Sequence, residues 1–334
     1  MLGMSDVASI EALRPVPLAS VSPGPVFIFM VVRVVDGVKA YKSYAEQVEI
    51  LRARGMEVDD RDAALDVLRR VNYYRLSGYW YPFRQLVAGN RIDKFYDGTA
   101  FSDVVALYEF DERLRAATFE ALAPVELAVR AMLGHELGRI DPCVHLEPSQ
   151  LAVTPSNSEQ YARWRKRYES EVRTSREDFV KHHAAKYGGR LPVWAATELM
   201  DWGSLSYLYG FAPRNVQERI ADAAELTAPQ LSSWLKSLNI LRNICAHHGR
   251  LFNRVHAIVP KLPRRGTHLD LEEGGLDWSR TFGQLTLVRF LSDRLGVDES
   301  SALRDVVASY PTVRIVPLSH LGAPVEWARQ ELWQ

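Results

Sequence analysis

The longest run of helical periodicity in the chain extends from Ser102 to about Gly138, and it is the feature that most constrains the fold. Apolar residues recur there every three or four positions, which predicts an amphipathic helix. The apolar positions include Val105, Leu107, Phe110, Leu114, Ala117, Leu122 and Leu127. Pro124 is expected to kink this helix or to divide it. A helix of this length must bury its apolar face against other helices, which favours a helical bundle.

The other segments from Ser43 onward repeat the helical pattern, and none shows the sustained alternation of apolar and polar residues that is typical of strands. A hairpin or loop is expected at residues 87–101, and a further helix from about Asp277 to Leu295. The chain after Pro260 is otherwise rich in loops. We therefore predict a mostly α, all-α fold, with residues 37–334 forming a single domain.

Residues 1–36 differ in composition from the rest, because they begin with a Pro- and Ser-rich stretch that lacks a helical period. We predict a disordered leader, or sequence translated upstream of a true start at Met30, with an N-terminal strand as the alternative. The apolar run Val26–Val35 is well below the ~20 residues that a membrane-spanning helix needs. Two cysteines, Cys143 and Cys245, do not make a disulfide framework, so a cytoplasmic protein without membrane attachment is expected.

Charge is balanced over the whole chain, with 41 Lys and Arg against 41 Asp and Glu, so the net charge does not indicate a polyanionic partner. The charges are not evenly distributed along the chain, since residues 226–269 contain no acidic residue. The basic residues of this segment are Lys236, Arg242, Arg250, Arg254, Lys261, Arg264 and Arg265. Such a local excess is typical of proteins that bind a phosphate backbone.

The segment LRNICAHHGRLFNR places an Arg-Asn pair and two adjacent histidines in what is predicted to be one helix, at about residues 230–252. On such a helix Asn243 and His247 share a face, since they are four residues apart. Arg242 lies ~140° from His247 around the helix axis, but its long side chain can still reach a ligand that the histidine contacts. The helix is expected to have Thr227 as its cap and to bury a stripe of Leu231, Trp234, Leu235, Leu238, Leu241 and Cys245. His248 falls near this stripe and is expected to be partly buried.

An arginine beside a histidine suits phosphoester cleavage. The guanidinium can bind phosphate oxygens at two points and stabilise charge in the transition state. An imidazole with a pKa near 6.5 can take up or release a proton. Two other interpretations stay open: the histidines could only satisfy hydrogen bonds in a helical core, or they could bind a metal. A metal site would need further ligands that the segment lacks, so we predict no metal and no cofactor.

Three other features have simpler structural interpretations. Glu126 and Arg130 form an i, i+4 pair of opposite charge, which is typical of a helix salt bridge. The aromatic cluster YYRLSGYWYPF could stack nucleic-acid bases, but packing in the core is favoured. His182 and His183 lie in a strongly charged helical stretch and are interpreted as surface residues.

The segment RNICAHHGRLFN resembles the signature of the Abi-like (abortive infection, AbiD/AbiF type) proteins, which belong to the HEPN superfamily of α-helical ribonucleases. Further segments resemble that family in the same order, among them NYYRLSGYWYPFR, LYEFDERLRAATFEALAPVELAVRAML and LPVWAATELMDWGSLSYLY. The resemblance extends from about Lys39 to the C-terminus.

The resemblance implies a HEPN-like helical bundle with additional helices, in which the motif helices of two protomers meet in one composite cleft. It implies a metal-independent endoribonuclease toxin of a bacterial anti-phage system, in which the RNA 2′-hydroxyl attacks. Arg242 and His247 would be catalytic, and Asn243 would position them. The supporting residues would be His248, Arg250, Glu126 and Arg130. The acid-free segment, and not the resemblance, supplies the residues expected to bind RNA, which are Lys236, Arg254, Lys261, Arg264 and Arg265.

The partners implied are an RNA substrate, a second copy of the chain and a small antitoxin RNA. The alternative is a non-catalytic RNA-binding or protein-interaction member of the same superfamily, in which the motif helix mainly forms an interface. The presence of Arg242, Asn243 and His247 together favours the enzyme.

Overall fold

The computed structural model describes residues 39–297 and 301–334, and 63% of it is helical. The prediction of a mostly α fold is confirmed. The interpretation of residues 1–36 lies outside the described residues. The compact unit that contains the helices spans Tyr44–Gln334.

Thirteen α-helices are present in the described part of the chain. In chain order they are α1 Tyr44–Ala53, α2 Arg61–Arg70, α3 Tyr73–Trp80, α4 Phe101–Gly138, α5 Ser158–Thr174, α6 Asp178–Lys186, α7 Val193–Ala196, α8 Trp202–Phe211, α9 Arg214–Asp222, α10 Ala228–Ala246, α11 Leu269–Glu272, α12 Thr281–Leu295 and α13 Ala302–Ala308. The predicted helix from about Asp277 begins later, at Thr281, because the Asp277 carboxylate accepts hydrogen bonds from the backbone and hydroxyl of Ser279 and so forms a turn.

The central element of the fold is α4, which contacts α3, α7, α8, α9, α10, α12 and α13. Its length corresponds to ~57 Å at 1.5 Å per residue. The predicted apolar stripe is largely buried, with Leu107, Phe110 and Leu114 inaccessible to solvent. Pro124 lies inside α4 but does not divide it, since packing against several helices outweighs the single backbone hydrogen bond that a proline removes.

A two-stranded antiparallel sheet is the only sheet among the described residues, and it confirms the expected hairpin. Strand β1 spans Arg84–Val87 and strand β2 spans Asn90–Phe95, with Leu86 paired to Arg91. The two residues between the strands, alanine and glycine, both have positive φ, as a tight hairpin turn requires.

Two histidines, His145 and His256, are buried inside the bundle. Burial, reinforced by neighbouring arginines, lowers the pKa of each to about 4. The His145 imidazole lies 3.2 Å from the Tyr168 hydroxyl, and that of His256 lies 3.2 Å from the Thr281 hydroxyl. Each histidine is therefore neutral inside the folded protein and becomes protonated more readily when the chain unfolds.

We expect the free energy of unfolding to fall as the pH falls from about 6.5 towards 4. Between these pH values the unfolded chain binds more protons than the folded chain does. Each histidine therefore lowers the free energy of unfolding by about 1.4 kcal/mol per pH unit. Urea titrations at pH 7, 6 and 5 should give a smaller pH dependence for His145→Gln than for the native chain. His182→Gln, at an exposed position, is the control for the replacement itself. Equal slopes for the native chain and His145→Gln would contradict the prediction.

Candidate active site

The motif residues lie at the C-terminal end of α10. This helix begins with a capping box, in which Thr227 and Gln230 exchange hydrogen bonds, and the predicted start is confirmed. The predicted buried stripe is also confirmed, and it consists of Leu231, Trp234, Leu235, Leu238, Leu241 and Cys245. It packs against α4, α8, α9 and α12, which fixes the direction of the helix.

The helix ends at Ala246, so the prediction that it continues to about residue 252 is wrong. The amide of Gly249 donates to the carbonyl of Ile244 at 2.7 Å, and the amide of His248 donates to that of Cys245 at 3.1 Å. These two bonds define a Schellman motif, with His248 in the left-handed conformation at φ 54°. A Cβ on Gly249 would lie 3.1 Å from the Ile244 carbonyl oxygen, so this close approach favours glycine.

The turn exposes both histidines. His247 is the C-cap residue, and its amide donates to the carbonyl of Asn243 at 3.0 Å. His248 was expected to be partly buried, and this expectation is wrong, because the left-handed backbone turns it away from the apolar stripe. The interpretation of the pair as buried core residues therefore does not hold. Both imidazoles lie where a ligand in solution can reach them.

Arg242 is partly buried one turn before the end of α10. Its guanidinium carbon lies 5.3 Å from the centre of the Phe119 ring on α4, and its Nη1 donates to the side-chain oxygen of Asn243 at 3.4 Å. The buried Nε has no hydrogen-bond partner among the residues that the structure describes. The cation–π contact holds the guanidinium without neutralising its charge. Sequence reasoning missed Phe119, because an aromatic residue on the outer side of α4 carries no motif.

A buried carboxylate on α4, that of Asp111, fixes the chain that follows the turn. It accepts hydrogen bonds from the amides of Phe252 at 2.7 Å and Leu251 at 3.3 Å. The Tyr79 hydroxyl donates to it at 2.7 Å, and Arg115 forms an ion pair with it at 2.5 Å. Burial raises the pKa of the Asp111 carboxyl, while the four donors favour its ionised form. Sequence reasoning missed this cluster.

Two arginines join the turn to α3. Arg75 donates through Nη2 to the carbonyl of His248 at 2.6 Å, and Arg250 donates to the carbonyl of Gly78. A Cβ on Gly78 would lie 2.5 Å from Nη1 of Arg250, so the glycine makes room for the guanidinium. Burial lowers the pKa of Arg250, which is partly enclosed at this contact. The structure thus places Arg250, predicted as supporting, in the scaffold of the turn.

Glu126 and Arg130 form the predicted salt bridge, with 2.8 Å between Oε1 and Nη2. Arg130 also donates to the carbonyl of Met200 at 3.1 Å, and Glu126 lies against Leu235 in the middle of α10. Leu235 precedes Arg242 by seven residues, or ~10 Å along the axis. The pair therefore attaches α4 to the segment before α8 and is not brought to the histidines.

A family model described as Abi-like protein matches residues 66–253, which is more than half of the chain. The chain belongs to the Abi-like protein family. The match includes α4, α10 and the complete turn as far as the residue after Phe252. Membership suggests a role in abortive-infection defence. No curated protein and no solved structure matches the chain.

After the motif turn, the chain of this Abi-like protein returns along α10 towards the start of that helix. The amide of Lys261 donates to the Ser233 hydroxyl at 3.0 Å, and its carbonyl accepts from the Trp234 indole at 2.8 Å. Gln230 donates to the carbonyl of Leu262 at 3.1 Å. Lys261 therefore lies beside the first turns of α10, at the opposite end from the histidines.

The predicted RNA-binding residues are thus separated into two places. Arg264 and Arg265 follow Lys261 and line a cavity of 290 Å³ near the start of α10. That end is ~27 Å from the motif turn, at 1.5 Å per residue. Lys236 is exposed between the two ends, and Arg254 is close enough to Arg250 to lower its pKa. One phosphate cannot contact both groups, so their joint use would need an extended strand.

Three or more His, Cys, Asp or Glu side chains positioned to hold a metal ion occur nowhere in residues 39–297 or 301–334. Over the same ranges, every helix falls short of the length and apolar character that crossing a membrane requires. Cys143 and Cys245 are both free thiols, and burial raises the pKa of Cys245 to about 12.

We expect His248→Gly to leave the stability of this Abi-like protein unchanged, or to raise it by up to about 1 kcal/mol. The left-handed conformation costs a non-glycine residue about 1–2 kcal/mol, and relief of this strain offsets the larger conformational entropy of glycine in the unfolded chain. Thermal unfolding of the native chain and the variant measures the effect. His248→Ala keeps the strain and removes the imidazole, so it should not be stabilised; a stabilised alanine variant would contradict this account.

Proposed function

We propose that this chain is an endoribonuclease of abortive-infection defence that cleaves RNA without a metal ion. The observation that carries the proposal is the placement of Arg242 and His247 at the open end of one rigid helix. The imidazole of His247 is exposed, and the guanidinium of Arg242 is held on Phe119 without a carboxylate partner in the described residues. A base or acid and a charge-stabilising group are therefore both available to a phosphodiester.

The proposed reaction uses the nucleophile that RNA itself provides. The 2′-oxygen attacks the adjacent phosphorus, the bond to the 5′-oxygen breaks, and a 2′,3′-cyclic phosphate and a 5′-hydroxyl result. His247 accepts the 2′-hydroxyl proton or donates a proton to the 5′-oxygen, and Arg242 stabilises the charge on the phosphoryl oxygens. Asn243 positions both, since its side chain contacts Arg242 and its carbonyl binds the His247 amide.

A second protomer would complete this site. The attacking and leaving oxygens lie on opposite sides of the phosphorus, so one imidazole cannot serve both at once. Two copies of the chain that meet at the ends of α10 would place a histidine on each side, in a HEPN-like arrangement. On α4, the ring of Phe119 beneath Arg242 is an exposed apolar side chain, which favours a protein contact near this end. A cytoplasmic homodimer held in check by a small RNA is part of the same proposal.

The test is incubation of the purified protein with a labelled RNA in excess chelator, beside DNA of the same sequence. We expect RNA fragments that end in a 2′,3′-cyclic phosphate and a 5′-hydroxyl, with the DNA intact. Fragments ending in a 3′-hydroxyl, or a strict requirement for a divalent metal, would sink the proposed reaction. Tight binding of RNA without cleavage under any condition would favour a non-catalytic RNA-binding protein.

A further inference from the structure

Helix α3 and Tyr81, the residue that follows it, present two exposed tyrosine side chains beside the motif turn. Tyr74 is 64% exposed and Tyr81 is 50% exposed, whereas Tyr79 and Trp80 are fully buried. Gly78 is four residues after Tyr74 and three before Tyr81, so all three positions share one face of the helix. The aromatic cluster therefore divides into a buried part that packs the core and an exposed part on either side of Gly78.

Three arginines surround this face, and each donates to backbone carbonyl oxygens. Arg91 donates to the carbonyl of Pro82 at 2.7 Å, and its guanidinium carbon lies 5.6 Å from the centre of the Tyr81 ring. Arg250 is held by the Gly78 carbonyl, between the two tyrosines. Arg75 is held by the His248 carbonyl in the motif turn. Carbonyl oxygens are neutral, so they fix the three guanidinium groups without cancelling their charge.

This pattern differs from that of many surface arginines in the same protein. Arg165 pairs with Glu169 at 2.8 Å, and Arg214 pairs with Glu218 at 2.6 Å. None of the three arginines around α3 forms an ion pair with a carboxylate of the described chain. In a chain of zero net charge, three arginines without an ion-pair partner in the described chain, around two exposed rings, make this face complementary to a polyanion that carries aromatic groups.

We infer that the exposed face of α3, defined by Tyr74, Gly78 and Tyr81, binds unpaired nucleotides of RNA next to the motif turn. The tyrosine rings stack on bases, and the arginines contact the flanking phosphates. This inference rests on the proposed ribonuclease function and adds a substrate class to it, namely single-stranded RNA. Duplex RNA is excluded because its base faces are covered by neighbouring bases, whereas stacking on an aromatic side chain needs a free base face.

The exposed face of α3 and the motif turn are in contact, which links base stacking to cleavage. Because Arg75 joins α3 directly to the His248 carbonyl, a strand that stacks on Tyr74 passes the residue next to His247. Tyr74 and Tyr81 are separated by ~10 Å along the helix, which allows each ring to take a different base. The α3 face would thus hold the strand on one side of the phosphodiester that His247 contacts.

The experiment measures binding of a short single-stranded RNA in which every 2′-hydroxyl is methylated, so that the nucleophile is blocked and cleavage does not interfere. The full chain is compared with the double variants Tyr74→Ala/Tyr81→Ala and Tyr74→Phe/Tyr81→Phe. The control is Tyr187→Ala, at a tyrosine that is 62% exposed and directly follows α6. We expect the double alanine variant to raise the dissociation constant by about tenfold or more, and the phenylalanine variant by no more than about twofold. Tyr187→Ala should bind as the native chain does, and thermal unfolding should show that all variants are folded.

Unchanged affinity in the double alanine variant would overturn the inference, even if unmethylated RNA is cleaved in a His247-dependent way. Equal affinity of the native chain for the single strand and for its duplex would overturn it as well. Conversely, tyrosine-dependent binding of the single strand would support it even if unmethylated RNA is not cleaved, a result that would count against the ribonuclease proposal alone. If the alanine variant binds RNA normally but loses self-association in light scattering, the face belongs to a second copy of the chain.

Discussion

Replacing His247 with alanine is expected to lower the rate of RNA cleavage by about 10²–10⁴-fold, which is the usual contribution of a general acid or base. The imidazole is exposed, and His247 contributes to the fold through its backbone bond to Asn243. The variant should therefore fold normally, with a thermal midpoint within a few degrees of the native value. The loss would then belong to the chemistry and not to the structure.

The measurement is single-turnover cleavage of a labelled RNA, with protein in excess over substrate. His182→Ala is the matched control, since His182 is also an exposed histidine on a helix and has no arginine-asparagine partner beside it. Its rate should equal that of the native chain. A rate for His247→Ala within a factor of three of the native rate would show that the imidazole carries no essential proton transfer. The cleavage rate of His248→Gly in the same assay distinguishes the contribution of the His248 imidazole from that of the His247 imidazole.

Local patterns predicted the helices well, because a helix is specified by residues three and four positions apart. The apolar stripe of α4 and the cap at Thr227 were both predictable for this reason. The end of α10 was not, since the turn at His248 depends on a left-handed residue that is usually glycine or asparagine. Gly249, one position later, is the signal in the sequence that marks this end of the helix.

The contacts that hold the motif turn could not be predicted from local patterns at all. Asp111 binds the amide of Phe252, which is 141 residues away in the chain. An Asp-Arg pair four residues apart on a helix reads as a surface salt bridge, and only the packed bundle reveals that Asp111 and Arg115 are enclosed. Residue types alone therefore predicted Arg242 and His247 as site residues, whereas the contacts that position them depend on tertiary structure.

Replacing Asp111 with alanine is expected to lower the free energy of unfolding by about 3–5 kcal/mol, because it breaks a buried ion pair and leaves the Arg115 charge with only the more distant Glu112, at 3.9 Å. The Asp111 side chain is 0% exposed and that of Arg115 is 5% exposed. The substitution also removes the acceptor for two backbone amides and for the Tyr79 hydroxyl, and buried donors without a partner add to the cost. Urea denaturation at pH 7 measures the change.

The matched control is Glu169→Ala, which breaks an exposed i, i+4 pair with Arg165 and should cost no more than about 0.5 kcal/mol. A loss of less than about 1 kcal/mol for Asp111→Ala would contradict the assignment of Asp111 as the anchor of the turn. The variant also separates stability from activity when it is assayed at a temperature where it remains folded. Cleavage should still fall there, because the segment after His248 has lost its attachment to α4 and no longer holds the histidines beside α3. Full activity in the folded variant would mean that Gly249, Arg75 and Arg250 are sufficient to position the turn without the carboxylate.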